Sequence, residues 1–120
     1  MIRDQETINQ LVDIIERFVR ERLIPAEEQM AEEGKLPDHL LQEMRELGLF
    51  GLTIPEEYGG LGESLLTYAL VVEEIARGWM SVSGVINTHF IVSHMVLNHG
   101  TEEQKQSLLP RMATGEVRGA

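Results

Sequence analysis

The sequence has no cysteine, so any chemistry must come from hydroxyls, amides, imidazoles and carboxylates. Thiol nucleophiles, thiolate metal sites and disulfides are excluded. The residues best arranged for a task are Ser83, Gly84, Asn87, Thr88 and Ile91. They recur at steps of one, three and four, which gathers small and weakly polar side chains on one helical face. Such a face has two uses: another helix packs closely against it, or it forms one wall of a groove for an apolar ligand. The chemistry it suits is binding rather than bond-making.

The remaining constellations point away from catalysis. His89, His94 and His99 stand five residues apart, which turns each about 140° from the last on an ideal helix and keeps them from converging on one ion. His39 is remote and no His-Glu-x-x-His occurs, so the histidines read as polar core or interface groups. Gly59, Gly60 and Gly62 imitate a phosphate loop, but Leu65 stands where the dinucleotide fingerprint needs its third glycine. The acidic pairs Glu56–Glu57 and Glu73–Glu74 point in different directions, as solvated faces and caps do. Nothing assembles a nucleophile with its base.

Helices must position these residues. Ile8, Leu11, Val12, Ile15, Val19 and Leu23 lay an apolar stripe on a first helix that begins near Asp4 or Thr7. Pro25 sits at a kink or a restart, and Gly34 closes the acidic run that follows. A second helix starts at Pro37, turns Leu40, Leu41, Met44 and Leu47 inward, and ends at Gly48. From Gly48 to Gly62 the glycines and Pro55 predict ordered turns, with Phe50, Leu52 and Ile54 buried.

A third helix follows from about Glu63 to Gly78, with Leu65, Leu66, Ala69, Leu70, Val72 and Ile75 as its apolar set. Ser81 to His99 forms the fourth. This helix has no charged residue, so it is expected to be central and enclosed on nearly every side, with Val82, Val85, Ile86, Phe90 and Val96 as ordinary core. Thr101 caps a fifth helix through a capping box with Gln104, and Pro110 is expected to end or restart it. No stretch alternates with period two. The expected fold is all-α, an antiparallel bundle of about five helices with a Gly/Pro-rich loop before the third.

A chain of 120 residues with 42% hydrophobic content makes one domain. Its 20 acidic and 10 basic residues give a net charge of -10, a field that repels nucleic acid. The uncharged run from Gly78 to Thr101 is long enough to cross a bilayer, but Ser81, Ser83, Asn87, Thr88, His89, Ser93, His94, Asn98 and His99 weigh against a membrane span. Met1 to Gln10 reads as neither a secretory signal nor a transit peptide, so a cytoplasmic address is expected.

Five stretches, in order along the chain, closely resemble the start of acyl-CoA dehydrogenases. They are Leu36-Pro37 through Gly48-Leu49-Phe50-Gly51; Ile54-Pro55-Glu56-Glu57-Tyr58-Gly59-Gly60-Leu61-Gly62; Glu73-Glu74-Ile75-Ala76; His99-Gly100-Thr101-Glu102-Glu103-Gln104-Lys105; and Leu109-Pro110-Arg111-Met112-Ala113-Thr114-Gly115-Glu116. The resemblance implies that residues 1–120 form the N-terminal helical domain of such an enzyme. A β-rich middle domain and a C-terminal helical domain would then follow in the parent.

It further implies an FAD-dependent reaction of fatty-acid metabolism. A carboxylate base takes the α proton of an acyl-CoA thioester while the β carbon passes hydride to the flavin. The flavin-binding segment, typically Thr-Glu-Pro, would come shortly after the position of Ala120, and the catalytic glutamate lies in the C-terminal domain. No catalytic, cofactor-binding or metal-binding residue is therefore expected in this stretch, which would not hold FAD alone.

What the resemblance carries over is substrate contact at Ser83, Gly84, Asn87, Thr88 and Ile91, which match the acyl-chain pocket. Where medium-chain enzymes tend to have a glutamate, Asn87 stands here. The implied partners are acyl-CoA, an electron-transfer flavoprotein and further copies in a homotetramer or homodimer. Flavin monooxygenases, acyl-CoA oxidases and nitroalkane oxidases share the scaffold. A reading of another class is a free-standing helical interaction module.

Overall fold

The computed structural model describes residues 5–119. The alternative helix start at Asp4 lies outside them. The first helix, α1 (Gln5–Phe18), buries Ile8, Ile15 and Phe18, and the stripe continues through buried Val19 and Leu23. Pro25 produces the kink foreseen from its chemistry. Because its ring has no N–H and crowds the carbonyl four residues back, the helix widens to a π turn over Val19–Leu23 and tightens to a 3-10 turn over Ile24–Ala26. The acidic run then forms α2 (Glu27–Glu33), which stops where the Gly34 N–H closes on the Met30 carbonyl at 2.9 Å.

The expected second helix is α3 (Asp38–Glu46), with Leu40, Leu41 and Met44 buried. The Gly/Pro-rich loop that follows contains two single 3-10 turns, Leu49–Gly51 and Glu56–Tyr58, and no strand occurs among the described residues. The loop doubles back on itself: the Leu61 N–H reaches the Gly51 carbonyl (2.8 Å), Gly62 that of Ile54 (2.9 Å) and Glu63 that of Leu52 (2.8 Å). Phe50, Leu52 and Ile54 are all buried, as expected.

In α4 (Leu65–Gly78) the Ser64 hydroxyl caps the helix by accepting from the Thr67 N–H. The inward face keeps Ile75, and Val72 packs against the core, but it otherwise differs from the one the apolar residues suggest. Thr67, Tyr68, Val71 and Ile75 are buried, whereas Leu65 and Leu66 are more than half exposed and Ala69 is exposed. Contacts across the corner set the rotation: Trp79 is the single extended residue before α5 (Met80–His99). Tyr68 stacks on Phe90 (4.3 Å between centroids) and donates to Asn87 Oδ1 (3.0 Å). These pairings fold back about Trp79, so α4 and α5 run antiparallel.

The last helix, α6 (Glu102–Ala113), opens on the complete Thr101–Gln104 capping box. Pro110 does not end it. Losing one helical bond to proline costs about 3 kcal/mol. Leu109, Met112 and Ala113 flank it and are all buried, and large apolar side chains contribute about 1.5–3 kcal/mol each. The turn survives because its packing outweighs the missing donor. Leu109 and Met112 also form, with Ile54 and Tyr58, a small second core beside the main one between α1, α3, α4 and α5. The Tyr58 hydroxyl donates to Glu102 Oε1 at 3.1 Å and ties the loop to the start of α6. With the kinked α1–α2 unit counted once, the architecture is the expected five-helix, all-α bundle.

Candidate functional site

Helix α5 meets the test of length and composition for crossing a membrane, but the core helix of a globular domain meets it too. It packs against α4 on one side and α6 on the other, with Val82, Ser83, Ile86, His89 and Ser93 buried. Enclosure on nearly every side is not what this chain provides. Met80, Ile91 and Met95 are between about half and three-quarters exposed, and Gly84, Asn87 and Thr88 are exposed between them. The absence of charge therefore marks an open apolar stripe rather than a central helix.

Four of the five candidate residues share that stripe. Gly84, Asn87, Thr88 and Ile91 stand at steps of three, one and three along the exposed face. A Cβ built on Gly84 would meet no atom within 4 Å, so the glycine leaves a shallow floor. The Thr88 hydroxyl donates to the Gly84 carbonyl at 2.9 Å, which satisfies its polar atom within the helix. Asn87 is held by the Tyr68 phenol, whose pKa burial pushes up to about 12; Tyr68 therefore stays a neutral donor throughout the physiological range. Ser83 is not on the stripe: it is buried, and its hydroxyl donates to the Met80 carbonyl at 2.6 Å.

The sequence reading missed Met80 and Met95, which extend the stripe at both ends. Their signal was the same spacing, four residues before Gly84 and four after Ile91. It also missed Tyr68, whose polar atom hid an inward position. Beside the stripe lies a groove of about 290 Å³ between Val85 and Thr88 on α5 and Arg118 and Gly119 on the segment after α6.

His89 alone among the histidines is buried; His39, His94 and His99 are exposed. Its ring meets Phe50 edge-on at 5.2 Å, with Nε2 2.9 Å from the Met112 carbonyl and Nδ1 receiving the Gly119 N–H at 3.1 Å. Burial holds its pKa below the usual imidazole value, the Arg118 charge acts in the same direction, and the backbone carbonyls oppose both. The unfolded chain regains the ordinary value of about 6.5. Between the two values the unfolded state binds a proton that the folded state refuses, so stability falls with falling pH there. This contribution is complete above about pH 6.5 and is lost as pH drops towards the folded value. Urea unfolding at pH 7.5 and at pH 5.5 should show a loss in the native chain that His89→Asn diminishes; an equal loss in both would place the acid sensitivity elsewhere.

The described residues contain no group of three or more potential metal ligands. They also contain no nucleophile–base pair on the stripe. The loop at Gly59, Gly60 and Gly62 follows a 3-10 turn rather than a strand, so it lacks the setting of a dinucleotide fingerprint. What the site offers is a smooth, uncharged wall with one fixed amide. Residues 5–116 match the family described as acyl-CoA dehydrogenase, N-terminal domain.

The chain belongs to the acyl-CoA dehydrogenase family. It is 35% identical over 113 residues to (2S)-methylsuccinyl-CoA dehydrogenase of Cereibacter sphaeroides, a match covering 93% of this chain and 21% of that protein. It superimposes on the solved glutaryl-coenzyme A dehydrogenase glutaryl-CoA complex with a TM-score of 0.89 and 30% identity, covering 99% of this chain and 31% of that one. A chain in the structure reported for the electron transferring flavoprotein of Acidaminococcus fermentans gives a TM-score of 0.85 and 30% identity, covering 98% and 31%. The acyl-CoA dehydrogenase N-terminal domain thus accounts for nearly all of this chain and for less than a third of each of these relatives.

Proposed function

We propose that this domain belongs to an FAD-dependent acyl-CoA dehydrogenase whose chain continues into a middle β domain and a C-terminal helical domain, and that its α5 stripe is one wall of the acyl-chain pocket. The observation that carries this reading is the open, uncharged face of Gly84, Asn87, Thr88 and Ile91 beside the Thr88–Gly119 groove. An acyl chain needs apolar area, which the uncharged stripe offers and exposed Arg118 across the groove does not, and each methylene buried against the stripe contributes about 0.8 kcal/mol. The thioester's reacting carbons need a base and an acceptor, and the stripe supplies neither.

Among the described residues Arg118 is the one cation lining the groove, and the Thr88 hydroxyl is already satisfied within its own helix. The work proposed for this domain is positional: to exclude water along the chain and set its direction. The exposed leucines of α4 and methionines of α5 also fit a surface covered by the remaining domains or by further copies in a homodimer or homotetramer. An electron-transfer flavoprotein is the proposed electron acceptor.

The decisive experiment is a visible absorption spectrum of the protein expressed from its whole reading frame, taken anaerobically with and without a mixture of acyl-CoA thioesters. A flavin band that bleaches on addition is the expected result. A flavin band unmoved by every thioester would overturn the dehydrogenase reading in favour of the monooxygenase or nitroalkane oxidase branches. A colourless protein would leave the interaction module.

A further inference from the structure

The groove beside Thr88 has two walls that belong to different parts of the chain, and one buried side chain joins them. Val85 and Thr88 lie on α5; Arg118 and Gly119 lie on the segment that turns back after α6. That segment is pinned at its start, where the Val117 N–H reaches the Arg111 carbonyl (3.1 Å) and Arg45 Nε donates to the Gly115 carbonyl (3.2 Å). At its far end the bond from the Gly119 N–H to His89 Nδ1 holds it against α5. His89 follows Thr88 directly in sequence, so the residue next to one wall grips the other.

The Phe50 backbone carbonyl also faces the ring, but the Gly119 N–H at Nδ1 and the Met112 carbonyl at Nε2 together select one tautomer. A backbone N–H only donates, so Nδ1 must be the bare, accepting nitrogen. A carbonyl only accepts, so the proton of the neutral ring must sit on Nε2 and point at Met112. Either alternative, an Nδ1–H tautomer or an imidazolium, sets a donor against the Gly119 N–H. The ring therefore orients the segment through one acceptor atom, while its donor anchors it to the end of α6.

We infer that His89 is a positioning residue for the acyl groove: as the neutral Nε2–H tautomer it fixes Gly119 and Arg118 opposite Val85 and Thr88 and so sets the groove's width. The assignment of the groove to an acyl chain rests on the proposed function; the grip on Gly119 does not.

Two substitutions divide the ring into its halves. In His89→Asn the amide oxygen falls where Nδ1 was and keeps the acceptor for Gly119. In His89→Gln the amide nitrogen falls where Nε2 was and keeps the donor to Met112. Backbone hydrogen exchange in the 120-residue chain should show Gly119 protected in the native protein and in H89N, and exchanging at least about tenfold faster in H89Q, the loss of about 1.4 kcal/mol of local stability. A long-range proton–nitrogen correlation of the native ring should show the Nε2–H tautomer. An Nδ1–H ring, or equal Gly119 exchange in the two variants, overturns the grip.

In the protein from the whole reading frame, H89Q should raise KM for acyl-CoA while H89N leaves it near the native value, with kcat unchanged in both. Equal KM shifts despite unequal exchange would overturn the role in the groove. Unequal exchange in a native protein that turns over no thioester would sustain the grip on Gly119 and overturn only the acyl reading.

Discussion

Gly84→Leu in the protein expressed from its whole reading frame is expected to raise KM for long-chain acyl-CoA about 30-fold and to leave turnover of the shortest thioester nearly unchanged. A Cβ at this position meets nothing within 4 Å, so the leucine side chain projects from α5 without disturbing its packing. An alanine replacing glycine inside a helix gains about 0.5–1 kcal/mol, and leucine ranks close to it. The variant should therefore be at least as stable as the native protein, which separates a binding defect from a folding defect. Its side chain takes the place of two or three methylenes of a bound acyl chain. At about 0.8 kcal/mol each that is about 2 kcal/mol, or the stated factor. A thioester too short to reach the stripe loses nothing. Steady-state kinetics across a series of straight-chain thioesters measures the effect, and a KM shift that does not depend on chain length would remove Gly84 from the acyl pocket.

The parts of the fold legible in the sequence are those decided by neighbours along the chain. The stripe from Ile8 to Leu23, the Gly34 stop, the Thr101–Gln104 box and the buried Phe50, Leu52 and Ile54 depend on periodicity, capping and turn chemistry, all of which act within a few residues. What was not legible was set by partners distant in sequence. Residue type favoured Leu65 and Leu66 over Thr67 and Tyr68 as core, but the stack on Phe90 and the bond to Asn87 rotate α4 the other way. Pro110 reads as a helix stop until Leu109 and Met112 are seen to close the second core with Ile54. The candidate site divides along the same line. Periodicity correctly aligned Gly84, Asn87, Thr88 and Ile91, but it also enlisted Ser83, which the packing of α5 turns inward. The bond between His89 and Gly119 spans thirty residues, and no local pattern announces it.

Gly60→Ala is the substitution expected to damage the fold most for the fewest atoms added. The new Cβ would stand 2.0 Å from the Ile54 carbonyl oxygen and 2.6 Å from the Ile54 Cβ, so backbone rather than a flexible side-chain tip has to move. That carbonyl accepts from the Gly62 N–H at 2.9 Å, and Ile54 is buried beside Tyr58, Leu109 and Met112. Displacing it loses a hydrogen bond, about 1 kcal/mol, and much of the burial of one isoleucine, a further 1.5–3 kcal/mol or so. About 3 kcal/mol should lower Tm by about 12 °C in a domain of this size, and total stabilities are only about 5–15 kcal/mol. Gly59→Ala, one residue earlier, is the control. Its Cβ would meet nothing within 4 Å, but its φ of +89° leaves the alanine strained, at about 1–2 kcal/mol. Thermal and urea unfolding of both variants in the 120-residue chain should therefore rank Gly60→Ala well below Gly59→Ala. The reverse order would mean that backbone conformation, not the close approach of Ile54, limits this loop. In that case the loop could shift to admit a side chain without releasing its grip on α6.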